Sequence, residues 1–461
     1  MIPRTAAEIA AATGGRVALG DAAARANGIS IDSRTIQPGE LFCAIAGERH
    51  DGHDHAAEAV RRGAPIVLAQ RALENLAPAA LVLVGDTTAA LGALALDERR
   101  RRAGLKLLAV TGSSGKTTTR ALAAAALAAR YRTAASAGNL NNQWGLPLSM
   151  LRLADDAEAA VVELGMNHPG EIATLARLVE PDIGVITNIG TAHIGFFADQ
   201  RGLAAAKVEL LQEMPRGATG VVHAGSPHLL ELARATARRL VTFDLQPPAD
   251  LVATGLGGSL LEGTRFTVEG VPVRLALWGR HAALNALAAL GAARAAGVPL
   301  AEAAPRLAAL EPQPGRGRIV RLAGGVVLVD ETYNSNPSAL EAVLAGLAGS
   351  PWSGRRVAVI GDMLELGERS AEFHREAGAR AAGAGIEVLH AVGGFAAEIA
   401  AGARAAGMSR LFEHRDAPAA AGALPDLVND GDLVLLKGSR GVRLESVLAA
   451  LVSSRGEQVR P

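Results

Sequence analysis

Short apolar runs alternate along the chain with longer segments in which Ala and Leu recur at helical spacing. Between Leu105 and Pro314 the runs are LKLLAVTG, AAVVELG, IGVITNIG, GVVHAG and LVTFDL. They are near-continuous in Val, Ile and Leu, the pattern of parallel strands buried on both faces. A second series begins near Ile319 with VVLVDE, RRVAVIGD, EVLHAVGG and DLVLLKG, and a smaller one (LFCAIAG, PIVLAQ, ALVLVGD) precedes residue 104. After Pro247-Pro248 the runs RFTVEG and VPVRLAL alternate and predict hairpins, whereas HAALNALAALGAARAAG predicts a helix. PQPGRGR, dense in Pro and Gly, predicts a hinge. The pattern as a whole predicts an α/β protein of three domains, residues 1–104, 105–314 and 315–461.

Composition mainly excludes. The 461 residues are 49% hydrophobic but only 3% aromatic, so full cores must rest on Leu, Val, Ile and Ala. Forty-six Lys and Arg balance forty-six Asp and Glu, which leaves no electrostatic footprint for nucleic acid or an anionic membrane. DERRRRAG (97–104) concentrates arginines, but without interleaved aromatics it reads as a solvated helix end at a domain boundary. The single Cys43 allows no internal disulfide and fits a reducing compartment. No apolar run approaches the length of a membrane helix. The N-terminal TAAEIAAATGG places Thr5 three positions before Glu8, the spacing of a capped helix rather than of a signal peptide. A soluble, cytoplasmic, monomeric protein is expected.

Candidate chemistry starts at AVTGSSGKTTTR (109–120). Gly112 and Gly115 let the backbone turn its N–H groups toward an anion, and the helix that follows presents its positive end there. Lys116 can reach the outer phosphates of a nucleotide and the Thr117 hydroxyl can ligate Mg²⁺, with Ser113, Ser114 and Thr118 completing the loop. The usual P-loop carries one more glycine, at the place held here by Val110. With this loop the central domain is expected to be P-loop NTPase-like with a mostly parallel sheet, and the second series is expected to form a Rossmann-like α/β domain. Glu163 ends an apolar run at the edge where open α/β sheets bind ligands, and His193 follows the next run at the same edge. Taken alone, Glu163 reads equally as a helix N-terminal carboxylate, His193 as a structural or exposed histidine and Lys207 as a solvated lysine. The cluster His50, Asp51, His53, Asp54, His55 has ligand-like spacing, yet lacks a Cys partner or second cluster for zinc.

In combination the motifs are more specific. T-G-x-x-G-K-T-T, E-x-G-M-N-H-P-G-E-I, T-N-I-G-x-A-H and A-K-x-E, in this order, resemble the ATP-dependent Mur ligases, whose loop lacks the leading glycine. The resemblance implies that Lys116 and Thr117 hold ATP phosphates and that Thr117, Glu163 and His193 bind Mg²⁺, two ions in all. It also implies a CO₂-derived carbamate on Lys207, itself a metal ligand. GRHAALNAL resembles the family's adenine-side motif, giving His281 and Asn285, and PGRGR supplies a hinge arginine, Arg316, with Arg318 a weaker match. VLVDETYNSNPSAL gives Asp330 for the ATP ribose and Tyr333, Asn334 and Asn336 for substrate. LLKGSRGVRLE adds Lys437, Ser439 and Arg440.

SIDSRTIQPGELFCAIAG resembles the uridine-nucleotide domain of the family, with Ser33 and Arg34 toward the UDP end. GNLNNQWGLPLSML, ELGMNHPGEI and above all VIGDMLELGERSAEFH resemble the branch that joins D-alanyl-D-alanine to UDP-N-acetylmuramoyl-tripeptide in peptidoglycan precursor synthesis. They contribute Asn139, Asn142, Asn167 and His168 as substrate contacts. The D-N-P-R block expected of the diamino-acid-adding relative is missing. Glu331 and Gln143-Trp144 depart from the family pattern without touching a metal or phosphate residue. The rivals are a sister amide ligase, either diamino-acid-adding or of the folylpolyglutamate type, and a non-ligating P-loop ATPase.

Overall fold

The computed structural model describes residues 1–47 and 50–458. Three larger sheets account for the three series of apolar runs. In the first, Arg16–Leu19, Ala80–Leu83, Ile66–Ala69, Glu40–Cys43 and Gly28–Ser30 lie in that order, parallel except for the first pair. The helix Ala6–Thr13 carries the expected capping box, Thr5 and Glu8 each accepting from the other's backbone N–H, and ends on a left-handed Gly14.

The second sheet is wholly parallel, in the order Leu251–Val252, Arg239–Asp244, Thr219–His223, Ile183–Ile186, Lys106–Thr111, Ala159–Glu163, Thr133–Ala135. The chain enters at Lys106–Thr111 and builds outward to both sides, which makes this strand's carboxyl end the switch point where α/β sheets bind ligands. Register places the chemistry. Glu163 lies beside Val110 on one flank, and Ile186 lies beside Thr111 on the other, so Thr187 and the segment leading to His193 emerge next to Gly112. The predicted hairpins form as Thr254–Ser259, Gly263–Val268 and Val271–Leu275, antiparallel throughout.

The third sheet runs Arg318–Arg321, Val327–Glu331, Leu433–Lys437, Arg356–Gly361, Val388–Val392, Leu411–His414, parallel apart from the first pair. It is tied to the central part by Trp278, 2% exposed, which packs among Leu340, Leu344 and Leu347. A side chain at Gly346 would come within 2.7 Å of the indole, so glycine is required for this approach. Ala is the principal residue of the buried face of Arg280–Ala295, as a core poor in aromatics demands.

DERRRRAG departs from its expected role. Arg99 and Arg102 are buried rather than solvated. Arg99 donates to Asp182 at 3.0 Å and to the Glu180 carbonyl, and Arg102 pairs with Glu98 at 2.9 Å. The run therefore clamps the helix Thr87–Arg101 to the central sheet, and its carboxylate partners 180 and 182 lie too far along the chain for local pattern to reveal. Among the described residues no helix is long and apolar enough to cross a membrane.

Candidate functional site

Thr111 leads from the central strand into a loop whose conformation requires glycine at two points. Gly112 has φ 145° and a Cβ there would lie 1.9 Å from Thr187 Oγ1, whereas Gly115 has φ 78° and its Cβ would lie 2.3 Å from Asn285 Oδ1. Asn188 shapes the loop: its carbonyl accepts from Ser113 N at 3.1 Å and its Oδ1 from Ser114 N at 3.0 Å. Thr187 Oγ1 donates to the Ser114 carbonyl at 2.6 Å. Ser113 and Ser114 are thus held by protein, and the anion-facing amides are those opening the helix Lys116–Leu127, whose first turn leaves N–H groups without intrahelical acceptors. Lys116 Nζ donates back to the Gly112 carbonyl at 3.0 Å, and burial pulls its pKa down against the opposing attraction of Glu163. Thr118, half-buried, follows on the same turn.

Opposite the loop, Glu163 is buried and fully engaged. Thr117 Oγ1 donates to Oε2 at 2.9 Å, Asn141 Nδ2 donates to Oε1 at 2.9 Å, and Arg120 stands 3.6 Å away. Asn141 and Arg120 were invisible in the sequence. Asn142, the residue singled out there, instead accepts from the Trp144 and Gly145 amides as a helix start, and Asn139 is exposed. What separates the neighbouring asparagines is the fold: the Asn141 carbonyl accepts from Gly165 N at 2.8 Å, just past the end of Ala159–Glu163.

His193 sits in a left-handed conformation, φ 62°, and its Nδ1 pairs with Glu365 Oε2 of the C-terminal part at 2.6 Å, a contact that holds the Glu365 carboxyl below its usual pKa. The segment before it is braced from below: Ser226 Oγ accepts from Ile189 N at 3.1 Å, and His223 Nδ1 lies 2.8 Å from the same oxygen. Lys207 is 1% exposed on the helix Gln200–Glu213 and has no ion-pair partner among the described residues. Burial lowers its pKa well below the usual lysine range, and the charge of Lys116 lowers it further. No group of three or more His, Cys, Asp or Glu side chains among the described residues is arranged to hold a metal. In particular His53 is buried, its Nε2 accepting from Gln70 N at 2.9 Å and its Nδ1 facing Asp51, which is a structural role. Thr117 and Glu163 are together, while His193 is joined to Glu365 rather than to them.

Several C-terminal residues close over the loop. Asn336 Nδ2 donates to Ser114 Oγ at 3.2 Å, and the hydroxyls of Ser338 and Thr191 are 3.0 Å apart. Arg316 stacks on Tyr333, 3.8 Å from the ring centroid, and its charge is felt at Lys116 and Arg120. Asn285 Oδ1 accepts from Thr119 Oγ1 at 3.3 Å beside Gly115, and His281 is deep, its Nδ1 without a partner. Asp330, the expected ribose contact, is 2% exposed and accepts from Gly315 N at 2.8 Å and from Thr332 Oγ1 at 2.7 Å.

Three expected substrate residues are also engaged structurally. Lys437, the cross-strand neighbour of Glu331, donates to that carboxylate and to the Asn334 carbonyl, both at 3.1 Å. Asn334 Oδ1 accepts from Ser335 N, and Ser439 Oγ accepts from Leu364 N at 3.0 Å. Arg440 remains exposed beside Tyr333, and Arg318 pairs with Glu457 on the edge strand. Ser33 is buried, Arg34 folds back onto Asp32, Asn167 is exposed with its amide on Glu171, and His168 packs edge-on to Phe196.

Gly115→Ala tests the tightness of the loop. The clash with Asn285 and the left-handed backbone together cost about 2 kcal/mol, so kcat/KM for ATP should fall roughly 30-fold. Steady-state kinetics with ATP varied check it; a parental value would mean that the loop has room to yield.

Comparison with known proteins agrees with this geometry. Residues 25–99 match the Mur ligase family, catalytic domain, residues 110–293 the Mur ligase middle domain, and residues 315–440 the Mur ligase, glutamate ligase domain. The UDP-N-acetylmuramoyl-tripeptide–D-alanyl-D-alanine ligase of Bacillus subtilis is 33% identical over 93% of both chains. The crystal structure of MurF from Acinetobacter baumannii superposes with a TM-score of 0.89 at 31% identity, covering 98% of this chain and 99% of that one. MurF ligase from Thermotoga maritima in complex with ADP gives a TM-score of 0.82 at 30% identity, with coverages of 93% and 97%.

Proposed function

The chain belongs to the Mur ligase family, and we propose from that premise that it joins D-alanyl-D-alanine to UDP-N-acetylmuramoyl-tripeptide at the cost of ATP, yielding the pentapeptide, ADP and phosphate. The observation that carries the ligase chemistry is Lys207. A fully buried lysine whose charged neighbour of influence among the described residues is another lysine is disfavoured as a cation. The lowered pKa favours the neutral amine, the form that adds CO₂ to give a carbamate anion with release of a proton. A non-ligating P-loop ATPase has no use for such a group.

An amide does not form from a carboxylate and an amine in water without activation. The tripeptide carboxylate attacks the γ-phosphate, the β,γ-bridging P–O bond breaks, and ADP departs to leave an acyl phosphate; the dipeptide amine then attacks the acyl carbon, losing a proton as phosphate leaves. Phosphoryl transfer of this kind is chiefly positioning and charge neutralisation. Lys116 and the amides of the first helical turn hold the phosphates, and Arg316 adds positive charge from the hinge. The paired oxygens of Thr117 and Glu163 are hard donors of the kind Mg²⁺ takes alongside phosphate and water, so they fit that ion; by the family resemblance His193 and a carbamylated Lys207 would supply further ligands for two ions. When bound, Mg²⁺ would neutralise phosphate oxygens. Asn336, Ser338 and Tyr333 shield the loop from the C-terminal side, which protects an acyl phosphate from water.

In this reading residues 1–104 bind the nucleotide end of the substrate through Ser33 and Arg34, residues 105–314 bind ATP, and residues 315–461 receive the dipeptide. The same reading has the enzyme act in the cytoplasm as a monomer. The test is product identity. With ATP, Mg²⁺ and UDP-N-acetylmuramoyl-tripeptide, mass spectrometry should show the pentapeptide with D-alanyl-D-alanine, and no adduct with a diamino acid or glutamate. An adduct with either of the latter alone would transfer the chain to a sister ligase.

A further inference from the structure

Two backbone amides of the loop that follows the strand Arg356–Gly361 are capped by side chains from elsewhere in the C-terminal part. Leu364 N donates to Ser439 Oγ at 3.0 Å, and Met363 N donates to His374 Nε2 at 2.8 Å. His374 lies on the helix Ser370–Gly383, is fully buried, and stacks on Phe395 with ring centroids 4.3 Å apart. Its other nitrogen, Nδ1, lies 2.6 Å from the Ser370 carbonyl, one turn back on the same helix.

These partners leave the ring one protonation state. An amide N–H can only donate and a carbonyl can only accept, so Nε2 is bare and Nδ1 carries the proton. A second proton would set an N–H against the Met363 N–H in a space closed to water, where an unmade hydrogen bond costs most. Burial disfavours that proton and lowers the pKa below the usual histidine value, although the Ser370 carbonyl, Asp362 and Glu398 act the other way.

The loop held in this way meets the central part. Met363 and Leu366 are buried in the C-terminal core. Between them Glu365, left-handed at φ 64°, turns its carbonyl to Gly195 N at 3.3 Å and its carboxylate to His193 Nδ1 at 2.6 Å. A side chain at Gly195 would come within 2.6 Å of Gly367 N, so the two segments run in close contact. The start of the loop is pinned as well, because Asp362 accepts from Gly394 N at 2.8 Å and from Phe395 N at 2.9 Å.

We infer that His374, as the neutral ring protonated on Nδ1, is a positioning residue whose bare Nε2 holds the Met363 amide and so sets the loop carrying Glu365 against His193. It touches no substrate and acts through that loop on the arrangement over the phosphate site. The kinetic half of its test rests on the ligase reading above; the tautomer does not.

The full chain tests this in two ways. With ¹⁵N-labelled histidine, ring correlation spectra, assigned by the signals lost in His374→Gln, should show His374 protonated on Nδ1 alone. That state should persist at about pH 6.5, where an unperturbed histidine is half protonated. In steady-state ligation His374→Gln, whose side-chain oxygen can take the place of Nε2, should keep kcat within about threefold of the parent. His374→Asn, whose shorter side chain reaches only toward Ser370, should lower kcat roughly tenfold with the KM for ATP within about twofold. A proton on Nε2, a doubly protonated ring at that pH, or equal losses in the two variants overturns the inference. Should His374→Asn fail to fold, the tautomer and the His374→Gln rate decide, and a Gln variant slowed more than about tenfold overturns it. A parent without dipeptide-dependent phosphate release defeats the ligase reading alone, and the tautomer then decides this inference by itself.

Discussion

Lys207→Ala is expected to lower kcat by roughly 10³-fold and to regain part of it, about tenfold, when formate, acetate or propionate is added. The side chain is 1% exposed and has no ion-pair partner among the described residues, so its removal leaves a buried space rather than a broken salt bridge. A small carboxylate entering that space restores the anion that the carbamate supplies. Acid should act in the same direction as the mutation, because forming the carbamate releases a proton and falling pH reverses it. Rates measured with and without added carboxylate, on protein whose thermal unfolding matches the parent, decide the matter. A mutant as fast as the parent, or a slow one indifferent to carboxylates, would show that Lys207 carries no carbamate.

Lys116→Met should cost a comparable factor, on the order of 10³ in kcat/KM for ATP, and Lys116→Arg should recover little of it. Lys116 reaches back to the Gly112 carbonyl at 3.0 Å inside a loop with no room for a side chain at Gly112 or Gly115. A planar guanidinium does not fit a space shaped for a compact ammonium. The charge is also held in tension: burial and Arg316 lower its pKa, whereas Glu163 and Glu365 raise it. Phosphate binding relieves that tension, so the interaction strengthens as negative charge accumulates. Nucleotide binding measured by calorimetry alongside kinetics checks this. A variant that keeps the parental turnover would remove Lys116 from the reaction.

What could be read from the chain alone follows from the physics of each element. Strands such as Lys106–Thr111 and Ala159–Glu163 are buried on both faces, so their apolar runs are continuous and conspicuous. Gly112, Gly115, Lys116 and Thr117 lie within six residues, and a loop that turns on its own glycines leaves its mark locally. Long-range pairings leave none. Arg99 meets Asp182, Arg120 and Asn141 meet Glu163, and Glu365 meets His193, each across an interval that only the folded sheets close. Asp330, Lys437 and Ser439 illustrate the converse: their motifs are plain in the sequence, but the motif does not tell whether a polar side chain faces a ligand or the neighbouring backbone.

The central claim, that phosphate taken from ATP activates a carboxylate for an amine, is tested most directly by coupling. Purified protein with ATP, Mg²⁺ and UDP-N-acetylmuramoyl-tripeptide is assayed for phosphate release with and without D-alanyl-D-alanine, and pentapeptide is quantified in the same samples. The account predicts release that depends on the dipeptide, one phosphate for each pentapeptide formed. Phosphate release indifferent to the dipeptide, or release without pentapeptide, would contradict it.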